Sequence, residues 1–386
     1  MSQSMKKKLI NIVLFGIIFL PLILWLLWII KPAHRANILI LDKTVLTNIG
    51  LEHRAFDWVL QHRKYFKPNG DSYSPEQDYL GFFPLKNDSF LIKDLSKLTE
   101  KQIDSLSSSS DMTYFTDSYG IYNNEWYHKQ NVSEHSEKVY GGLNKNDILF
   151  LRKMKEKKKL IMAEFNFFAT PTSPSERIEA ENLLGLKWSG WTGRYFEQLD
   201  TLKNPELPKW IVRLYKDQHQ NKWPFTKPGI VFIHSNETIA ILEKETDLNR
   251  EVPIVKSFNY GVEKYGIPKE IRYPYWFDIT LSTDTSNRVI SYYELYPNER
   301  GDSVLHHHNI PKIFPAAFEN IAASPYYYFC GDFTDSPIRK TFDEIIGMEY
   351  LKMFVLNESD LNDRTPFFWR YYLPMTTKIL DNYFRK

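Results

Sequence analysis

Residues 158–199, KKLIMAEFNFFATPTSPSERIEAENLLGLKWSGWTGRYFEQL, decide the fold. Leu160-Ile161-Met162-Ala163 is a continuous apolar run closed by the acid Glu164, the pattern of a strand covered on both faces. Thr172-Ser173-Pro174-Ser175-Glu176 then offers hydroxyl caps and a proline in the first turn of a helix, and Gly185 stops that helix. A second short strand leads into an aromatic and basic turn, Trp188-Ser189-Gly190-Trp191-Thr192-Gly193-Arg194-Tyr195. Strand, loop, helix and strand in this order describe an α/β crevice, where ligands sit beyond the carboxyl ends of the strands.

The same pattern occurs earlier in the chain. Residues 36–42 (ANILILD) end in Asp42 and precede a helical pattern over 52–63, with Phe56, Val59 and Leu60 on one face. Residues 112–117 (MTYFTD) end in Asp117, are followed by Ser118-Tyr119-Gly120, and lead to a helix over 144–157. A helix is also expected over 93–106. After residue 205 the pattern changes. Residues 229–234 and 238–243 flank Ser235-Asn236-Glu237 as a hairpin, and further strands are expected at 252–256, 276–281 and 289–295. The turn Asp284-Thr285-Ser286-Asn287 suggests that the last two pair antiparallel. Residues 326–332 (YYYFCGD) return to a buried strand ending in Asp332, with helices expected over 335–356 and 367–385.

The amino terminus is distinct. Residues 9–30 carry no charge and follow Lys6, Lys7 and Lys8. About 20 apolar residues span a bilayer, and a cleaved signal would have a shorter apolar core and a small-residue cleavage site. Trp25, Trp28 and Lys31 fit anchoring at an interface. A single-pass helix in the cytoplasmic membrane is therefore expected, with the chain from about residue 36 onward outside the cytoplasm.

Composition narrows the functional classes. The net charge of +2 lacks the basic stripe of a nucleic-acid footprint. One cysteine, Cys330, rules out an internal disulfide and a cysteine metal cluster. Aromatic residues make up 16% of the chain, which suits sugar stacking or a partner surface, although large aromatic cores are the commoner cause. The nucleophile elbow Gly-x-Ser-x-Gly, His-Glu-x-x-His, a phosphate-binding loop and Gly-x-Gly-x-x-Gly are all missing from the sequence, so serine hydrolase, zinc protease, NTPase and dinucleotide readings lose their support. No cofactor and no metal are expected. In an extended run His306-His307-His308 would put only two rings on one face.

The strand-terminal acids Asp42, Asp117, Glu164 and Asp332 form the strongest constellation, because a parallel sheet would set them along one edge. Two of them could divide acid and base roles in glycoside cleavage, Glu164 with Asp117 or Asp332. They could equally bind a hard cation through oxygen, and the plainer reading is that such acids cap helices or hold loops through backbone N–H groups. The second constellation is Trp188, Trp191, Arg194 and Tyr195, where indoles could stack on a sugar and the guanidinium could fork onto an anion. A packed aromatic turn with Arg194 paired to a loop acid is the competing reading. Tyr119 and Asn166 are expected to line the crevice.

Three successive strand-helix units with a strand-terminal site after the third resemble the flavodoxin-like class I glutamine amidotransferase-like superfamily, and especially its membrane-anchored bacterial members of unknown function. The resemblance covers about residues 36–200, rejoined at 326–356. It implies a mostly parallel sheet flanked by helices. Working members place a cysteine nucleophile in a tight turn after a strand, with His and Glu partners. Here Glu164-Phe165-Asn166 stands at that point, and Cys330 lacks the glycine two residues ahead of it. The resemblance thus implies the fold without the triad.

The expected architecture is a transmembrane helix (9–30), an α/β domain (36–204), a strand-rich antiparallel elaboration (205–325) and a C-terminal strand and helices rejoining the α/β domain (326–386). The expected function is binding or an accessory role in cell-envelope or glycan metabolism, with a glycan or envelope protein as partner. A carbohydrate-active hydrolase is the alternative.

Overall fold

A computed structural model describes residues 3–385 apart from 130–132, 134, 135, 323, 340, 354 and 355, and describes only the backbone of 3, 4, 6–15, 17, 18 and 353. The strands used below are β1 Ile38–Asp42, β2 Leu80–Pro84, β3 Phe90–Lys93, β4 Met112–Asp117, β5 Leu160–Glu164, β6 Leu186–Phe196 and β7 Gly229–His234. The chain continues with β8 Ile239–Glu243, β9 Leu248–Ser257, β10 Glu270–Arg272, β11 Trp276–Ser282, β12 Arg288–Pro297, β13 Ile313–Asn320 and β14 Tyr326–Phe329. The helices used are α1 Gln3–Ile30, α2 Leu51–Arg63, α3 Glu100–Ser109, α4 Lys145–Glu156 and α5 Pro174–Leu184.

One ten-stranded sheet runs in the order β10-β9-β12-β13-β14-β5-β4-β1-β2-β3. Its β14, β5, β4, β1 and β2 are mutually parallel. Numbered along the chain, these five strands lie in the spatial order 2-1-3-4-5. That is the flavodoxin-like order, whose ligand crevice opens between the first and third strands, here β1 and β4. The expected α/β class with a parallel region is present. The other pairings of this sheet are antiparallel, and β9, β12 and β13 continue the same sheet beyond β14.

The core follows from the sequence pattern. Every residue of β4 and β5 is buried, as expected for strands covered on both faces. Helix α4 starts with a full capping box, Asn144 accepting from Asp147 N and Asp147 accepting from Asn144 N. Ser173 caps α5, with Pro174 in its first turn and Gly185 closing it in the left-handed region. Gly81 permits a closer approach than any other residue would: at φ 155° a Cβ there would lie 1.5 Å from the Asp42 carbonyl oxygen.

Several expectations need correcting. Strands β11 and β12 do not pair. The turn at 284–287 carries the chain from a four-stranded sheet, β8-β7-β6-β11, into the large sheet. The helix expected over 93–106 begins only at Glu100, because Phe90–Lys93 pairs with β2 as an edge strand. Within the expected helix 335–356, the described helix covers only Met348–Met353. Trp28, expected at an interface, is instead buried. The Trp28 indole N–H donates to the His62 carbonyl (3.2 Å), and Lys64 Nζ donates to the carbonyls of Trp28, Ile29 and Lys31. Buried Lys64 thereby caps the carboxyl end of α1, where the helix dipole favours a cation. Most side chains in the first half of the expected span 9–30 lie outside the described residues. Among the described residues no helix is long and apolar enough to cross a membrane.

Candidate functional site at the carboxyl edge of the parallel strands

The parallel strands bring the four sequence-selected acids to one edge. Asp42, Asp117 and Glu164 end β1, β4 and β5, and Asp332 lies three residues beyond Phe329, where β14 ends. The register of β1 against β4 shifts at its end, from Leu41 opposite Phe115 to Asp42 opposite Asp117. Thr116 is the extra residue, so the shift sets two carboxylates across from each other at the switch point. All four acids are buried.

Each carboxyl has a different environment. Asp42 Oδ2 lies 2.6 Å from His53 Nδ1, and His53 Nε2 lies 2.8 Å from the Pro75 carbonyl. Both ring nitrogens face acceptors, which suits the imidazolium. Burial alone would lower the His53 pKa, but the Asp42 carboxylate more than offsets this and raises it. The second Asp42 oxygen accepts from Thr44 N at 3.0 Å. Asp117 Oδ1 accepts from Tyr119 N at 2.7 Å and from Asn166 Nδ2 at 3.4 Å. Burial first, and the Asp42 charge second, push the Asp117 carboxyl up to about 8.

Glu164 is tied on both oxygens. Tyr114 Oη donates to Oε2 at 2.8 Å, while Thr334 N (3.2 Å) and its hydroxyl donate to Oε1. Burial raises this carboxyl well above the usual range even against those bonds. Such an acid fastens the segment after β14 to the end of β5, and with no exposed surface it has no route to a substrate. Asp332 is the reverse case. It is 7% exposed, its carboxyl forms no hydrogen bond to a described residue, and its pKa is raised by burial and then by Asp335, Asp117 and Glu164.

Three further acids and a lysine complete the electrostatics, and sequence reasoning missed them. Glu52 in the first turn of α2 is raised by burial and then by Asp42, and its Oε2 is buried without a hydrogen-bond partner. Asp335 accepts from Tyr275 Oη at 2.8 Å and pairs with Arg364 at 3.2 Å. Buried Lys43 pairs with Asp147 and donates to the Gly142 carbonyl at 2.9 Å. That bond ties the loop after β1 to the start of α4. Among the described residues no group of three or more His, Cys, Asp or Glu side chains is arranged to hold a metal ion.

The aromatic constellation splits. The residues expected to form a turn belong to the 11-residue strand β6, which is bulged between Trp188 and Thr192. Gly190, at φ 95°, allows the bulge, which turns both Trp188 and Trp191 inward. The Trp188 indole donates to the Trp191 carbonyl at 3.0 Å, and Trp191 packs on His234 and His308. Tyr195 is also buried. These three side chains pack in the interior and present no stacking face to a ligand.

Arg194 differs from them. It lines a cavity of about 410 Å3 together with Glu206, Tyr275, Asn362, Asp363 and Arg364. The cavity lies where the small sheet meets the edge of the large one. The Phe277–Gly331 bridge and the bond from Asp332 N to the Trp276 carbonyl (3.1 Å) join the two sheets there. Tyr275 links the cavity to the acids through Asp335. A second cavity of about 360 Å3 lies over the loops after β1 and β2, beside Asn48, Asp88 and Trp126.

No family model matches the sequence, and no curated protein matches it. Among solved structures, a glutamine amidotransferase from Thermotoga maritima is similar at 9% identity and a TM-score of 0.39, covering 92% of this chain and 100% of its own. A ThuA-like protein from Bacteroides uniformis is similar at 9% identity and a TM-score of 0.33, covering 78% of this chain and 84% of its own. Likenesses at this level carry no statement about activity. The flavodoxin-like strand order stands on the pairings described above. Cys330 is wholly buried, and burial followed by the neighbouring Asp278 raises its thiol pKa, the opposite of an activated nucleophile.

Proposed function

We propose that this chain is a membrane-anchored, extracytoplasmic binding or accessory protein of the cell envelope whose ligand is a glycan. The observation that carries this reading is the polar cavity at Arg194, Tyr275, Asn362, Asp363 and Arg364, whose Tyr275 donates a hydrogen bond to Asp335. Carboxylates and an amide accept from sugar hydroxyls, and guanidinium groups donate to ring and acidic oxygens. The anchor is supported by the uncharged run over 9–30 after three lysines, and by the exposure of Phe19, Leu20, Leu22, Ile23, Leu26 and Leu27 along α1.

The hydrolase alternative needs two carboxyls that flank one bond. Glu164, buried with both oxygens engaged, does not favour it. A glycan-binding screen with the full chain in detergent tests the proposal. Binding to an envelope polysaccharide, weakened by Asn362→Ala at unchanged unfolding temperature, is expected, because Asn362 lines the cavity and is only half-buried. Absence of binding to every glycan screened would remove the reading, and turnover of any of them would restore the hydrolase.

A further inference from the structure

We infer that the Arg194–Arg364 cavity selects a sugar carrying a carboxylate, a uronic acid, and that Glu206 occupies the carboxylate position while the cavity is empty. The inference rests on the glycan reading above and specifies its ligand class.

The two guanidinium groups lie close to one ring, Arg364 at 3.7 Å and Arg194 at 4.8 Å from the Tyr275 centroid. Arg364 is neutralised by Asp335, which also accepts from Tyr275 Oη, so that pair is fixed from two sides. Arg194 is held differently. Its side chain is 11% exposed and, among the described residues, its buried Nε has no hydrogen-bond partner, while its carboxylate partner, Glu206, is 60% exposed. A buried guanidinium with an unused donor wants a planar two-oxygen acceptor, and a bidentate carboxylate meets that need. The exposed Glu206 is held by a solvent-screened ion pair, worth little, and can be displaced.

Charge selects between anions. With Glu206 displaced, Arg194 contributes one uncompensated positive charge, Arg364 remains matched by Asp335, and Asp363 adds a negative charge to the wall. With Glu206 displaced these charges sum to zero, so a monoanionic carboxylate on Arg194 leaves one negative charge in excess and a dianionic phosphate two, and repulsion from Asp363 is smaller for the carboxylate. Asn362 and Asp363 stand where ring hydroxyls need partners, and a uronic acid supplies carboxylate and hydroxyls on one ring.

The test is titration calorimetry on the full chain in detergent with the methyl glycoside of galacturonic acid and its neutral methyl ester, for wild type, Glu206→Gln and Arg194→Gln. The acid should bind at least about tenfold more tightly than the ester, the scale of a charge-assisted pair. Glu206→Gln should tighten the acid about threefold by removing the internal competitor and leave the ester unchanged. Glu206 is exposed, so this variant folds whatever becomes of Arg194→Gln. Equal binding of acid and ester, with no effect of Glu206→Gln, would overturn the carboxylate inference and leave the glycan reading intact. Failure of both to bind would overturn the uronic acid class, and the broader screen would decide separately whether any glycan binds.

Discussion

Replacing Asp117 by Asn tests the electrostatics of the carboxyl edge quantitatively. The Asp117 carboxyl is raised from 3.8 to about 8 by burial and by the facing Asp42. A carboxyl with a raised folded-state pKa binds more protons folded than unfolded, so its contribution to stability falls as pH rises. The loss begins near the unfolded value of 3.8 and levels off above about 8. Between pH 5 and 8.5 the wild type should lose up to about 4 kcal/mol from this group alone, at about 1.4 kcal/mol per pH unit over most of that window. Asn does not titrate and keeps an oxygen for Tyr119 N, and whatever its burial costs is the same at both pH values. Thermal or urea unfolding followed by tryptophan fluorescence, on both proteins at both pH values, gives the difference directly. Asp117→Asn should gain stability relative to wild type by several kcal/mol on going from pH 5 to 8.5. A relative stability that stays constant with pH, or moves the other way, would refute the assignment of a protonated Asp117 to the native edge.

Other substitutions separate packing from binding. Glu164→Ala strands the donors of Tyr114 and Thr334 and should cost about 1–3 kcal/mol in the same unfolding assay. His53→Ala leaves Asp42 buried without its partner and should cost about 3–5 kcal/mol, with the largest effect below the ordinary imidazole value of 6.5 and a decline as pH rises through the raised folded-state value. Trp191→Ala should cost about 3–5 kcal/mol in unfolding and leave ligand affinity per folded molecule unchanged, because the ring is interior.

The parallel half of the fold was legible because its strands are buried on both faces. Runs such as Leu160–Ala163 and Met112–Thr116 then carry an unmistakable apolar signal, and the acids that end them mark the edge. Helices α4 and α5 were legible from their caps. The partners of those acids were not legible. His53 lies 11 residues from Asp42, and Thr334 lies 170 residues from Glu164, so no local spacing links them. Burial also inverts the apparent priority among the acids: Glu164 has both oxygens engaged and reads as a fastening, while the Asp332 carboxyl forms no hydrogen bond to a described residue. The sequence around Trp188–Tyr195 gave the wrong geometry because a bulge resets the side-chain alternation of a strand, and Gly190 was its single cue. The absence of pairing between β11 and β12 had no cue at all. A polar turn looks the same whether it closes a hairpin or carries the chain between two sheets.

The most direct test of a ligand site at the junction of the two sheets is amide hydrogen exchange of the full chain with and without the glycan that binds it. Exchange reports local opening, so ligand contact appears as slowed exchange in the touched segments. Protection over residues 332–337 and 362–364, spreading to 272–276, is predicted. Protection confined to residues 84–88 and 126, around the second cavity, or to no segment, would contradict it.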